Sequence, residues 1–292
     1  MFKQRRHLNK FRTMTDRHDI IWFEVLDSTN EEAKRRISDL DNLSVLSALS
    51  QTAGRGQRGN TWTAEPGQNL TFSVVMKYRT GHENEDSALP SLKAADQFVI
   101  SGITALSIVE LLETYGIRAK IKWPNDIYVG DRKICGVLIE NSLRGSYLSS
   151  SIVGIGLNVN QRNFDVLLPN PTSMALLGRK QECLPELLEE FMDIFRRNCR
   201  EYLIDASDYG TLRNSYLSRL WRLDVMSRFI DYTILPEGHS NGPIVAGLMD
   251  SSTGGKEFAG TIRGISAIGN LIVETASGTL REFGFKEIAF IL

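Results

Sequence analysis

The chain has 292 residues, 42% of them hydrophobic and 24% charged, a globular composition long enough for one large domain with a smaller companion. Its 34 basic and 35 acidic side chains leave a formal charge of -1, so global charge gives no support for nucleic-acid or membrane binding, and any basic site must be local. Cys135, Cys183 and Cys199 form no CxxC pair, His7, His18, His82 and His239 lack ligand spacing, and no uninterrupted apolar run approaches the roughly 18 residues of a membrane span.

Residues 1–18 carry Lys3, Arg5, Arg6, Lys10, Arg12 and Arg17 against Asp16, without an apolar core. They read as a disordered basic extension rather than a secretory signal, and a reducing cytoplasmic setting follows from the unpaired cysteines. Asp27-Ser28-Thr29-Asn30-Glu31-Glu32 predicts a short helix to about residue 37, with capping-box spacing from Ser28 to Glu31 or Thr29 to Glu32. Strands are expected at 45–50 and 70–77, separated by a long glycine-containing loop. Residues 92–115 have apolar side chains at helical spacing, ending at Gly116 as C-cap. Strands follow at 119–122, 127–129, 133–140 and 148–160, with Pro124-Asn125-Asp126 and Gly130-Asp131-Arg132 as turns.

Helices are expected at 184–203 and 206–220. Beyond Trp221 the pattern changes to short β-like runs at 222–232, 244–249, 258–265, 270–274, 280–285 and 287–292, which suggests a small β-barrel. The expected organisation is therefore an extension over 1–18, a catalytic domain over 19–220 and a barrel over 221–292.

Gly54-Arg55-Gly56-Gln57-Arg58-Gly59 formally matches a dinucleotide fingerprint, but Asn60-Thr61-Trp62-Thr63-Ala64-Glu65-Pro66-Gly67 is a loop where a helix should start, and Arg79 stands where an acid is required. Neither a P-loop lysine nor the other kinase elements are present. A mobile surface loop remains one reading. The other is a lid whose glycines permit close approach and whose arginines suit carboxylate and phosphate. Lys122-Trp123-Pro124-Asn125-Asp126 and Asp131-Arg132-Lys133 are either solvated hairpin turns or an anion site at strand ends. Gly154-Ile155-Gly156-Leu157-Asn158 places two glycines in an apolar strand, indicating close packing or ligand approach. Cys135, inside an apolar run, reads as a buried small hydrophobe.

Taken in order, Asp27-Ser28-Thr29-Asn30, Gln51 to Gly56, Lys122 to Asp126, Arg132-Lys133 to Glu140 and Gly154 to Asn158 resemble the biotin protein ligases over about residues 22–165, and the layout is similar to residue 292. The resemblance implies an α/β (α+β) catalytic domain with a mixed sheet, followed by an SH3-like β-barrel. It also implies biotin, ATP and Mg²⁺ as small molecules, and a biotin carboxyl carrier protein as partner. Biotin would be activated as biotinyl-AMP and then passed to a carrier lysine. By the same resemblance Ser28, Thr29, Asn30, Gln51, Gly54, Arg55, Gly56, Trp62, Lys133 and Gly136 surround biotin. Arg58, Lys122, Asn125, Asp126 and Asn158 serve the nucleotide, with magnesium near Asp126. Lys133, Arg55 and Lys122 are the expected catalytic groups. Gln57 and Asn60 depart from the basic residues frequent in relatives. About 20 residues precede the motifs, too few for the DNA-binding module of some members, so no DNA partner is expected. A homodimer through sheet edges stays open. The alternatives are a lipoate or octanoate transferase of the same superfamily and a non-catalytic binding module.

Overall fold

The computed structural model describes residues 19–80, 88–206, 208–234 and 255–291, without the side chain of Arg58. The extension at 1–18, the strand expected at 244–249 and the nucleotide contact assigned to the Arg58 side chain lie outside the described residues. The chain divides into two units, Met1–Arg219 and Leu220–Leu292.

In the first unit the described strands are β1 (Ile20–Leu26), β2 (Val45–Gln51), β3 (Leu70–Lys77), β4 (Lys120–Lys122), β5 (Asp126–Val129), β6 (Arg132–Arg144) and β7 (Tyr147–Leu157). The helices are α1 (Thr29–Arg35), α2 (Phe98–Thr114), α3 (Leu184–Cys199) and α4 (Gly210–Ser218). One sheet runs β1-β2-β3-β7-β6-β5-β4; its only parallel pair is β1 with β2, so the expected mixed sheet is present. β1 is an addition to the expected elements. As an edge strand paired only with β2 it is half-buried except at the exposed Glu24 and Val25, and shows no alternation to read.

Side chains of successive strand residues point to opposite faces, and the two faces of this sheet differ. On one face Phe72 meets Phe191 of α3 edge to face, ring centroids 5.2 Å apart, and Phe191 stacks on Phe195. α2 is buried nearly all round between sheet and α3. The 21-residue helical stretch Ala94–Thr114 is long and apolar enough by length and composition to cross a membrane, though its apolar run is interrupted; 67% of its most apolar 18-residue window lies inside the protein. Gly116 closes α2 as expected, at φ 71°. The Ile117 N–H donates to the Leu112 carbonyl and Gly116 N–H to Glu113, the paired bonds of a Schellman end. On the other face Leu46, Val75 and Ile152 pack against Ala33 of α1, with Leu40 beside them.

The predicted capping box of α1 does not form. Ser28 is the N-cap but makes no side-chain cap bond, because Glu31 is drawn to Lys34 and Arg55, and Glu32 to Arg35. Asp27 anchors this end instead through a two-pronged bond from Arg35, 2.8 and 2.7 Å, which holds its carboxyl far below the usual carboxylate range.

Among the described residues the second unit is a five-stranded antiparallel sheet of β8 (Met226–Asp231), β9 (Lys256–Ile265), β10 (Leu271–Thr275), β11 (Leu280–Phe283) and β12 (Ile288–Ile291), in the order β11-β10-β9-β8-β12. Phe229, Ile262, Leu271, Val273 and Phe283 fill its interior, as an SH3-like unit requires.

Because Phe191 is the ring that couples α3 to the sheet, Phe191→Ala is expected to cost about 3–5 kcal/mol in denaturant unfolding; a loss below about 1 kcal/mol would remove that contact from the core.

Candidate active site

Three glycines set the geometry. Gly136 and Gly156 face each other across β6 and β7, with Asp126 and Thr71 completing a row over four strands. Two residues along, Leu138, Gly154 and Ser73 form the next row on the same face. The Trp62 ring lies against Gly156 so closely that a Cβ there would overlap it, and a Cβ on Gly136 would come within 3.2 Å of the ring. A Cβ on Gly154 would overlap the Asn30 amide. The two glycines in the apolar strand are thus explained by two incoming side chains, Asn30 from α1 and Trp62 from the glycine loop.

The loop itself is a small turned-back ribbon. Trp62 N–H donates to the Gly54 carbonyl at 3.0 Å, Gly56 N–H donates to the Asn60 carbonyl at 2.7 Å, and Gly59 takes φ 80°. Any Cβ on Gly54 would strike the Trp62 carbonyl. The buried indole N–H of Trp62 has no acceptor.

At one end of this floor stand neutral polar groups. Ser28, Thr29 and Asn30 are all buried at the start of α1. The Thr29 main-chain N–H donates to Gln51 Oε1 at 2.8 Å, so the Gln51 amide turns its Nε2 the other way, beside Gly54. Asn30 is engaged inside the protein: its Nδ2 donates to Glu140 Oε2 at 2.8 Å, and its Oδ1 lies 2.6 Å from Ser73 Oγ. In this structure its amide is held by those partners, at the start of α1 beside Thr29.

At the other end the groups are charged. Lys133 Nζ pairs with Asp126 Oδ1 at 2.7 Å and stands 5.9 Å from the Trp62 ring centre. Lys122 lies over the Tyr128 ring at 4.8 Å. Asn125, in the turn between β4 and β5, donates to the Val137 carbonyl, and Gln57 reaches the same carbonyl at 3.4 Å. Asn158 is buried, its Nδ2 donating to Thr172 O at 2.9 Å. Arg55, expected among the reacting groups, pairs with Glu31 and Glu140 in this structure and so ties the loop to α1 and β6. Among the described residues no group of three or more acids, histidines or cysteines is assembled for a metal ion; Asp126 is one carboxylate, shared with Lys133. Burial raises the Cys135 thiol, and its side chain sits inside β6 as an inert small hydrophobe.

The structure therefore brings together Trp62, Gly136, Gly156, Lys133 and Asp126, and places Ser28, Thr29 and Gln51 around Asn30 on the neighbouring row. Several supporting residues are absent from the sequence reading. Ser73 and Glu140 tie Asn30 down. The segment 170–172 clamps Lys133, whose N–H donates to the Asn170 carbonyl at 2.7 Å and whose carbonyl accepts from Thr172 N–H at 2.8 Å. Just before it, Val166 and Leu167 are almost wholly exposed.

Residues 22–158 match the Biotin/lipoate A/B protein ligase family. The biotin--[acetyl-CoA-carboxylase] ligase of Paracoccus denitrificans is 27% identical over 256 residues, covering 86% of this chain and 92% of that protein. The bifunctional ligase/repressor BirA of Escherichia coli is 30% identical over 147 residues, half of this chain but only 42% of that protein. Among solved structures, the biotin protein ligase from Aquifex aeolicus in complex with biotin and ATP superposes with a TM-score of 0.69 at 25% identity, covering 94% of this chain and 98% of that one.

The contact between Trp62 and Gly156 can be isolated by a double-mutant cycle. Gly156→Ala is expected to cost about 1–3 kcal/mol in urea unfolding, and close to nothing once Trp62→Ala has removed the ring. Equal costs in both backgrounds would show that the glycine serves something other than Trp62.

Proposed function

We propose, on the premise that this chain belongs to the biotin/lipoate A/B protein ligase family, that it is a biotin protein ligase: it joins biotin to AMP and passes the biotinyl group to a lysine of a biotin carboxyl carrier protein. The observation that carries this is the position of Lys133, paired with Asp126, beside a tryptophan-and-glycine floor whose other end offers neutral hydrogen-bonding groups.

The chemistry asks for those two ends. A carboxylate oxygen of biotin attacks the α-phosphorus of ATP, the bond to the bridging oxygen breaks, and pyrophosphate leaves with the electron pair. Both partners are anions, and negative charge gathers on the phosphoryl oxygens. The Lys133 ammonium is the cation placed to bridge them, and Asp126 holds it in place until the ligands arrive. Magnesium would enter with the nucleotide, since that ion keeps several waters and binds through one or two carboxylates plus phosphate; Asp126 is the acid available to it. In the second step the carrier amine attacks the acyl carbon, AMP leaves, and the amine loses a proton.

The neutral end supports biotin over the lipoyl or octanoyl alternatives. A ureido ring carries two N–H donors and a carbonyl acceptor, which Thr29, Gln51 and Ser28 can satisfy. A dithiolane or alkyl head would leave those buried groups without partners, at about 1–3 kcal/mol each. Free thiols at Cys135, Cys183 and Cys199 agree with a reducing cytoplasm. A homodimer joining sheet edges would use β1 or β4, the two edge strands.

Purified protein should release AMP and pyrophosphate from ATP only when biotin is added; equal turnover with lipoate or octanoate rejects the assignment, and binding without turnover makes the chain a non-catalytic module. Lys133→Ala should lower the adenylation kcat by at least about 100-fold with unfolding unchanged, and wild-type turnover would take Lys133 out of its role. Gln57 supplies a neutral amide where the family resemblance implies a basic residue, so Gln57→Arg should slow escape of biotinyl-AMP about five- to tenfold in the absence of carrier; an unaltered escape rate would show that this position does not hold the intermediate.

A further inference from the structure

The direction of the hydrogen bonds beneath Thr29 can be worked out from which groups can only accept. Glu140 is held from outside by Lys34, 2.8 Å from its Oε1, and by Arg55. A carboxylate so paired accepts only, so the Asn30 amide must present Nδ2 to Glu140 Oε2, at 2.8 Å, and to the Leu138 carbonyl. The Asn30 amide oxygen is then fixed toward Ser73. Ser73 Oγ lies 2.6 Å from Asn30 Oδ1 and 2.8 Å from Thr29 Oγ1, yet it carries one proton. An amide oxygen cannot donate. The Ser73 proton therefore belongs to Asn30, and the contact between the hydroxyls must use the proton of Thr29. What Thr29 Oγ1 has left for a ligand is a lone pair.

We propose that Glu140, Asn30 and Ser73 form an orienting relay that fixes the Thr29 hydroxyl as an acceptor, making the relay the specificity determinant for an N–H group on the bound head. The inference rests on the biotin reading above and deepens it. None of the three relay residues need touch the ligand, and Ser73 is fully buried. On the other side Gln51 accepts from Thr29 N–H at its Oε1, which fixes the orientation of the amide and turns its Nε2 donor outward, beside Gly54. The pocket thus presents one acceptor and one donor of fixed sense. That is the complement of a cyclic urea, in which an N–H stands beside a carbonyl. A head of the same shape with oxygen in place of that N–H would put two lone pairs against each other.

The test uses the full chain and three ligands: biotin and the two isosteres in which one or other ureido N–H is replaced by oxygen to give a cyclic carbamate. Affinities are measured by titration calorimetry. In the wild type, at least one isostere should bind about 100-fold or more weaker than biotin. Ser73→Ala removes the acceptor for the Thr29 proton and lets that hydroxyl turn outward as a donor. Biotin should then bind about tenfold weaker, while the disfavoured isostere holds or gains, so the preference falls at least about tenfold. Ser73→Thr, which keeps the hydroxyl, should restore the preference. Ser73→Cys fills the space of serine with a weak donor and should behave like Ser73→Ala, which controls for a cavity effect. A merely structural role would weaken all three ligands alike and leave the ratios unchanged; that outcome, with biotin still strongly preferred by the wild type, overturns the relay and leaves the biotin reading standing. Failure of the wild type to prefer biotin over either isostere would instead overturn the reading on which the relay rests.

Discussion

The absence of a Cβ at three neighbouring sheet positions is the constraint on which the site depends. Gly136, Gly154 and Gly156 expose strand backbone on one face of β6 and β7, and two side chains from distant parts of the chain lie directly on it. Any other residue at Gly154 would lift Asn30 and, with it, the first turn of α1. At Gly156 it would lift Trp62 and the glycine loop that carries it. Strand register matters for the same reason. A slip by one residue would turn the glycines toward α2 and α3 and point Val153 and Ile155 at the ligand. The long antiparallel pairing of β7 with both β3 and β6 prevents that slip, so the centre of the sheet and the centre of the site are one piece of structure.

Above that floor the site separates two kinds of chemistry. Trp62 sits between a neutral end, where Thr29 and Gln51 have fixed hydrogen-bond directions, and a charged end, where Lys133 and Asp126 are paired. The separation suits a substrate with a hydrogen-bonding head and a carboxylate tail, because the tail would meet the Lys133 ammonium. Lys133 is held by its main chain rather than by its long side chain. Both its N–H and its carbonyl are bonded to the 170–172 segment, so the root of the side chain is fixed while the ammonium is held by Asp126. Asn158 is tied to the same segment through the Thr172 carbonyl, which links it to the lysine without direct contact.

Much of this was legible in sequence, and the unread parts have physical causes. The strands β2 to β7, the core helix α2 and its Gly116 end follow from apolar periodicity and turn residues, signals that depend only on neighbours in the chain. β1 was not legible because this edge strand is half-buried over residues 20–23 and exposed at Glu24 and Val25, which leaves no alternation. The capping box failed for a similar reason: spacing alone predicts it, but Arg55, from a segment 24 residues away, competes for Glu31. Among site residues, the glycines and Lys133 stand out because their chemistry is unusual where they occur. Ser73 and Glu140 do not. A serine and a glutamate are unremarkable in any strand, and what distinguishes these two is being opposite Gly154 and two residues beyond Leu138 in a register that only the folded sheet supplies.

Glu140 joins the loop to the floor, and the way its two oxygens are shared decides what loop movement does to the pocket. Oε2 receives the Asn30 amide, while Oε1 receives Lys34 at 2.8 Å and Arg55 at 3.4 Å. Arg55 is on the glycine loop and Lys34 is on α1. If the loop lifts to admit a ligand, Arg55 leaves, but Lys34 remains to keep the carboxylate paired and accepting. The bond to Asn30 therefore keeps its direction, and so does every bond that follows from it, through Ser73 to Thr29. Recognition of the head is set by the sheet and α1 alone, before the loop closes. What the loop adds on closing is Trp62 over the glycines and Gln57 at the Val137 carbonyl, contacts that cover the bound molecule rather than choose it.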